Sequence, residues 1–245
     1  EEEDEEQYAA DVTEDIIEDL LSDIEQNGHN EESVSNLNAV LNRLLNMASS
    51  GSEIETNIIA NIIGRLYNLL KNIPNSSLIR TIMRFLRVSY YLMPSLYEDI
   101  IPLINEIGQL ISNGAYTSQD AIVELLNGLF DLLPSIPEIR PHLMTLLNMS
   151  MDYLISPLIS GSVSLSRSTL RSILRLLNNL MNNFKELSHS IQSSLEESLP
   201  NILRYLGESV RSFGVSGMNY LCVFLGICRD ASLLLGISLR DLVME

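Results

Sequence analysis

The redox chemistry open to this chain rests on two cysteines. Cys222 and Cys228 lie six positions apart. Six residues turn an α-helix by about 600°, or about 240° net, so an intact helix presents the two thiols on different faces. They are then not expected to pair with each other. Either both are buried free thiols, or one reaches another chain. A second constellation is Asn178, Asn179, Asn182 and Asn183. Asn lowers helix propensity, so four in six positions invites an explanation. Amides along a helix face can hold an extended peptide backbone bidentately, which makes these four residues partner-binding candidates. A solvated ridge is the plainer alternative.

Other chemistry-bearing residues are scattered. His29, His142 and His189 are far apart, with no Cys or His beside them, so a metal site would need distant contributions. Glu98-Asp99 and Glu196-Glu197 are adjacent carboxylates of the kind a glycosidase uses. Acids placed at the start of a helix explain both pairs better. No nucleophile elbow, P-loop or dinucleotide glycine pattern is present. No catalytic residue, metal, cofactor or small-molecule substrate is therefore expected. Asn75-Ser76-Ser77 and Asn148-Met149-Ser150 match the N-glycosylation pattern. Asn75 falls in an expected loop and is usable in a secreted protein, whereas Asn148 falls mid-helix.

These residues sit in a chain of uneven charge. Of 32 acidic residues, 15 lie in the first 32 positions, which hold no Lys or Arg. From position 33 onward, 17 acids face 15 basic residues, so the net charge of −17 belongs to the N-terminal stretch. Lys occurs only at Lys71 and Lys185, against 13 Arg. That balance argues against duplex nucleic acid, which needs a basic stripe. The acidic start, Glu1 to Glu6, repels anionic membranes as well. It is what removal of a signal peptide leaves, and a fragment boundary gives the same appearance. The longest apolar tract, near Tyr220 to Leu225, is broken by Gly226 and Arg229, so no membrane span is expected.

The elements that position these residues read as helices throughout. From Ile79, apolar residues follow at Ile82, Met83, Leu86 and Tyr90, one face of a helix. Similar runs begin at Ala39, Thr81, Ala121 and Ser172, with a weaker one at Tyr220, at offsets of 42, 40, 51 and 48 residues. A period in that range with two helices per unit marks an α-solenoid. The second helices are expected over Ile58 to Leu70, Ile100 to Ile111, Leu143 to Ile155 and Leu199 to Leu206. Pro102, Pro141 and Pro200 are read as marking the starts of the last three. Ser49 to Ser52, Asn72 to Ser77, Ser112 to Gly114 and Ser160 to Ser162 read as loops. Thr117 to Asp120 and Ser166 to Ser168 supply N-cap candidates just before apolar runs. Gly51, Gly161, Gly207, Gly214 and Gly217 read as helix stops.

The division expected is a disordered acidic leader over 1–10, an acidic amphipathic helix and linker over 11–32, and a helical-repeat domain over 33–245. The amphipathic helix spans Asp11 to Glu25, with Val12, Ile16, Leu20 and Ile24 on its apolar face. It can cap the first repeat, since terminal units need a polar outer surface. The fold class is all-α, a solenoid-like stack of helical hairpins. Leu41, Leu44, Ile82, Leu86, Leu125, Leu129, Leu174 and Leu177 are expected in its core.

Two family resemblances follow from particular residues. Leu199-Pro200-Asn201-Ile202-Leu203-Arg204-Tyr205-Leu206 resembles the second-helix pattern of armadillo/HEAT repeats, and Ile173 to Leu180 resembles their third, within a span of about 39–230. The chain departs where the nuclear-import branch of that family has Trp: that slot is Arg175, and there is no Trp at all. Separately, Leu37-Asn38-Ala39, Met47-Ala48-Ser49, Gly51 and Ile73-Pro74 are similar in order to silk fibroin light chains, over about 36–75. Asn219-Tyr220-Leu221-Cys222 is similar to the segment that holds that family's intermolecular cysteine. This resemblance implies a secreted structural subunit disulfide-linked to a larger chain, with Cys222 as the linking residue. The family's internal disulfide has no counterpart here, and Cys222 lies unusually close to the C-terminus. The sequence thus points to a non-catalytic protein that binds another protein chain. The two readings are an extracellular subunit and a cytoplasmic or nuclear armadillo/HEAT-type adaptor.

Overall fold

The computed structural model describes the backbone of residues 2–27, 30–48, 53–73, 75–90, 94–160, 165–236 and 238. It describes their side chains apart from 2–13, 45, 47–48, 53–58 and 96. Every regular element among them is helical, and the chain is all-α. The helices are α1 (Glu2–Asn27), α2 (Glu31–Ala48), α3 (Glu53–Asn72), α4 (Ser76–Ser89) and α5 (Leu96–Ser112), then α6 (Gln119–Leu132), α7 (Arg140–Ser160), α8 (Arg167–Asn182), α9 (His189–Ser212) and α10 (Met218–Leu235).

Local chemistry sets the starts of several helices. Asn75, Ser118, Ser166 and Ser188 each accept a hydrogen bond from a backbone N–H in the first turn of α4, α6, α8 and α9. Such a cap satisfies one of the donors a helix start leaves orphaned, at about 1 kcal/mol each. Gly114, at φ +73°, turns the chain after α5, as the Ser112 to Gly114 loop requires. The glycines expected at 51 and 161 lie outside the described residues.

Packing follows a simple order. α2, α4, α6, α8 and α10 lie in succession, each against the next, and α1, α3, α5, α7 and α9 do the same. Pairs adjacent in sequence, such as α2 with α3 and α8 with α9, join the two rows. One aliphatic cluster runs through them from Ile17 to Ala231. All eight side chains expected in the core are buried there. Each contributes about 1.5–3 kcal/mol relative to exposure. α6 is the most enclosed helix: from Ala121 to Phe130 every residue is buried, Glu124 and Asn127 included.

Three local expectations are corrected. The buried stripe of α1 is Ile17, Leu21 and Ile24, with Ile16 39 % exposed, because α2 and α3 meet the helix on that side. Val12 lies outside the described side chains. α1 already begins at Glu2, so helical backbone starts inside the expected leader; the leader's own side chains lie outside the described residues. Arg65 of α3 holds α1 through Glu18 and Glu25. Second, Pro200 does not open a helix. α9 starts eleven positions earlier at His189, and its ring sits mid-helix, so Glu196 and Glu197 are exposed mid-helix acids and not first-turn ones. Glu98 and Asp99 do stand in the first turn of α5, although Pro102 lies one turn deeper than a first-turn proline. Third, Gly207 is not a stop. It lies inside α9, where a Cβ would come 3.0 Å from the Phe224 ring of α10. The stop falls at Gly214, with φ +59°.

Candidate binding groove and terminal helix

Glu124 is 4 % exposed, and a carboxylate so placed must be paired. α4 supplies Arg80, whose Nε and Nη2 donate to Glu124 at 3.2 and 2.8 Å. α8 supplies the Ser172 hydroxyl, which donates to the same carboxylate. That bond to Glu124 raises Arg80 above its ordinary pKa, so it stays a cation throughout. Asp120, one turn before Glu124, is pushed up by its own burial and then by the Glu124 charge. One turn after Glu124, Asn127 is 1 % exposed; its Nδ2 donates to the Ser172 carbonyl at 3.0 Å and its Oδ1 accepts from Asn179 at 3.2 Å. A third layer joins Asp131 of α6 to Arg175 of α8 and, at 3.9 Å, to Arg87 of α4.

These layers floor a cleft of about 200 Å³ across α4, α6 and α8. Arg80, Arg84, Arg87 and Arg175 line it with Glu124 and Asp131, leaving a surplus of two positive charges. Arg84 donates to Asn38 of α2 and has no carboxylate partner among the described residues. Met83 and Gly128 complete its lining.

The structure divides the asparagine candidates. Asn179 and Asn183 are spent on the fold: Asn179 bonds Asn127, and Asn183 donates to the Asn179 carbonyl at 2.8 Å and accepts from Arg140 at 3.3 Å. Asn178 and Asn182 follow Arg175 by three and seven residues, so they extend the Arg175 ridge along α8. Asn75 is the half-buried N-cap of α4, its Oδ1 accepting from Leu78 at 2.9 Å. Asn148 lies within α7, exposed, accepting from Ser188 and Ser190.

No protein-family model, curated protein or solved structure matches this chain. Its own geometry must carry the functional argument.

The two cysteines sit on one unbroken helix. α10 buries Phe224, Ile227, Cys228 and Ala231 against α8 and α9. Cys222 faces outward, and both thiols are free. Met218, Leu225 and Leu233 share that outward face and are 56, 41 and 78 % exposed. The stretch Gly214–Leu235 is also long and apolar enough, by length and composition, to cross a membrane, and 22 % of it is buried. Gly226 and Arg229 dilute its apolar run without ending the helix. His142 and His189 lie in α7 and α9, and among the described residues no three His, Cys, Asp or Glu side chains gather as a metal site.

The arginine groove was missed because its residues come from three helices. The one sequence signal for it is a charge inside each apolar run: Arg84, Glu124 and Arg175 occupy matching places in the runs that begin at Thr81, Ala121 and Ser172.

Proposed function

We propose that this chain is a non-catalytic helical-repeat subunit that assembles with a larger protein, similar in kind to a secreted silk fibroin light chain. The observation that carries this reading is the exposed thiol of Cys222 on the apolar outer face of α10. The next-but-one packing of the helices supports an α-solenoid architecture. On α1 and α2 the acids Asp15, Asp19, Glu31 and Glu32 are exposed. The outer face of α10 presents Met218, Leu225 and Leu233, which suits a covering partner chain better than solvent. α10 is read as a docking helix and not as a membrane span, because its opposite face is packed on α8 and α9. A persistent disulfide at Cys222 requires an oxidising, extracytoplasmic setting.

Non-reducing gel analysis of native material, with thiols blocked at lysis, tests the proposal. A band at the summed mass of this chain and a partner should collapse to the mass of this chain alone on reduction and be lost in Cys222→Ser. A chain that migrates only as the free monomer sinks it. That outcome favours the second reading, an intracellular armadillo/HEAT-type adaptor, whose supporting observation is the polar groove across α4, α6 and α8.

A further inference from the structure

We infer that the groove across α4, α6 and α8 binds an acidic peptide segment of a partner protein, through Arg84, Arg87 and Arg175. The groove and α10 are separate surfaces, so this inference stands or falls independently of the Cys222 disulfide.

The chain carries −17, yet here four arginines line one cleft with only two carboxylates. Arg80 is committed to buried Glu124, and its loss would strand that charge. The others are not so committed. Arg84 meets only an amide, Arg87 stands 3.9 Å from Asp131, and Arg175 shares that same carboxylate. Arg87 and Arg175 are about half exposed, so an incoming ligand can reach both guanidinium groups, with one Arg175 nitrogen held by Asp131. A planar guanidinium matches a carboxylate bidentately, which makes a Glu- or Asp-bearing ligand the natural complement.

Packed helices lie about 8–10 Å apart, so three neighbours span roughly 16–20 Å, or about five or six extended residues. A single inorganic anion satisfies one fork; a peptide satisfies several. Asn178 and Asn182 prolong the Arg175 ridge and have no hydrogen-bond partner among the described residues, so their amides are available to a peptide backbone. The acidic remainder of the chain slows approach of any polyanion, but screening over about 8 Å at physiological salt leaves contacts within the cleft intact.

Fluorescence anisotropy with labelled hexaglutamate tests this, with hexaglutamine as the uncharged probe. Hexaglutamate should bind, weaken with added salt, and lose at least tenfold in affinity in Arg84→Gln/Arg87→Gln. Arg211→Gln, on exposed α9 surface, should change nothing. Arg84→Lys/Arg87→Lys should fall between the two. Equal binding of hexaglutamine, an unaltered Kd in the double Gln variant, or displacement by inorganic phosphate at peptide-equivalent concentration would each overturn the inference; the last would leave only a simple anion site. If the double variant does not fold, phenylglyoxal labelling of the wild-type chain decides. Hexaglutamate should protect Arg84 and Arg87 but not Arg211, and uniform labelling with and without peptide would refute the site.

Discussion

Gly128 of α6 lies directly against Met83 of α4: a Cβ at position 128 would stand 2.7 Å from the Met83 Cβ and Cγ. That approach brings the arginines of α4 over the carboxylates of α6. Gly128→Ala gains about 1 kcal/mol of helix propensity but forces α4 outward, a strain of about 1–3 kcal/mol. The clash is with the root of the Met83 side chain and not its flexible tip, so the variant should be net destabilised. Met83→Ala should cost less in the Gly128→Ala chain than in the wild type, because it removes the crowded Cγ along with the buried packing. Urea midpoints across the four-member cycle measure this; additive effects would mean that the two residues are not coupled.

Much of this arrangement is written locally in the sequence. The serine caps at Ser118 and Ser166 need only their own first turns, and Leu125, Leu129, Leu174 and Leu177 recur at helical spacing on one face, so periodicity alone places them. The α1 stripe was less legible. Ile16, Ile17, Leu20, Leu21 and Ile24 supply two overlapping apolar faces, and only the packing of α2 and α3 selects Ile17, Leu21 and Ile24. Pro200 and Gly207 misled for a related reason: neighbouring helices stabilise α9 strongly enough to carry both inside it. The groove is harder still, since Arg80 and Glu124 meet across 44 positions.

The Arg80–Glu124 pair should be asymmetric. Glu124 has 5 % of its side chain exposed and Arg80 has 51 %. Arg80→Ala leaves a buried carboxylate with the Ser172 hydroxyl alone, and a lost charged hydrogen bond is worth about 1.5–3 kcal/mol. Arg84→Ala, at the exposed rim, should stay within about 0.5 kcal/mol. Glu124→Leu should cost less than Arg80→Ala, because an apolar replacement removes the desolvation problem with the charge. Denaturant unfolding of the three variants gives the ranking, and an Arg80→Ala value no larger than that of Arg84→Ala would contradict it.

The cysteines should differ sharply in reactivity. The thiolate is the attacking species, and access to reagent governs its rate. Iodoacetamide at pH 8 should modify Cys222 on the outer face of α10 and spare Cys228, which is fully buried. Cys228 should become reactive only in denaturant. Mass-spectrometric peptide mapping reads both sites, and labelling of Cys228 at the Cys222 rate in the native protein would mean that α10 does not stay docked.

Burial also makes Cys228 a source of alkaline instability. In the fold its thiol is pushed up to about 11 from an ordinary value near 9.0. Between those values the unfolded chain has released the proton while the native chain retains it. The native state therefore binds more protons, and stability falls as pH rises through this window. The contribution is complete below pH 9 and lost by about pH 11. Tyr67 and Tyr116 act in the same direction from about pH 10 upward, because burial holds both hydroxyls in the neutral form, with the Asp99 charge adding to the effect at Tyr67. The melting temperature should be level from pH 7.5 to 9 and then decline. Cys228→Ala should flatten the first part of that decline, between pH 9 and 10, and leave the tyrosine part in place. Circular-dichroism melts in steps of half a pH unit separate the two segments. An identical slope in Cys228→Ala and the wild type would show that the Cys228 thiol does not contribute.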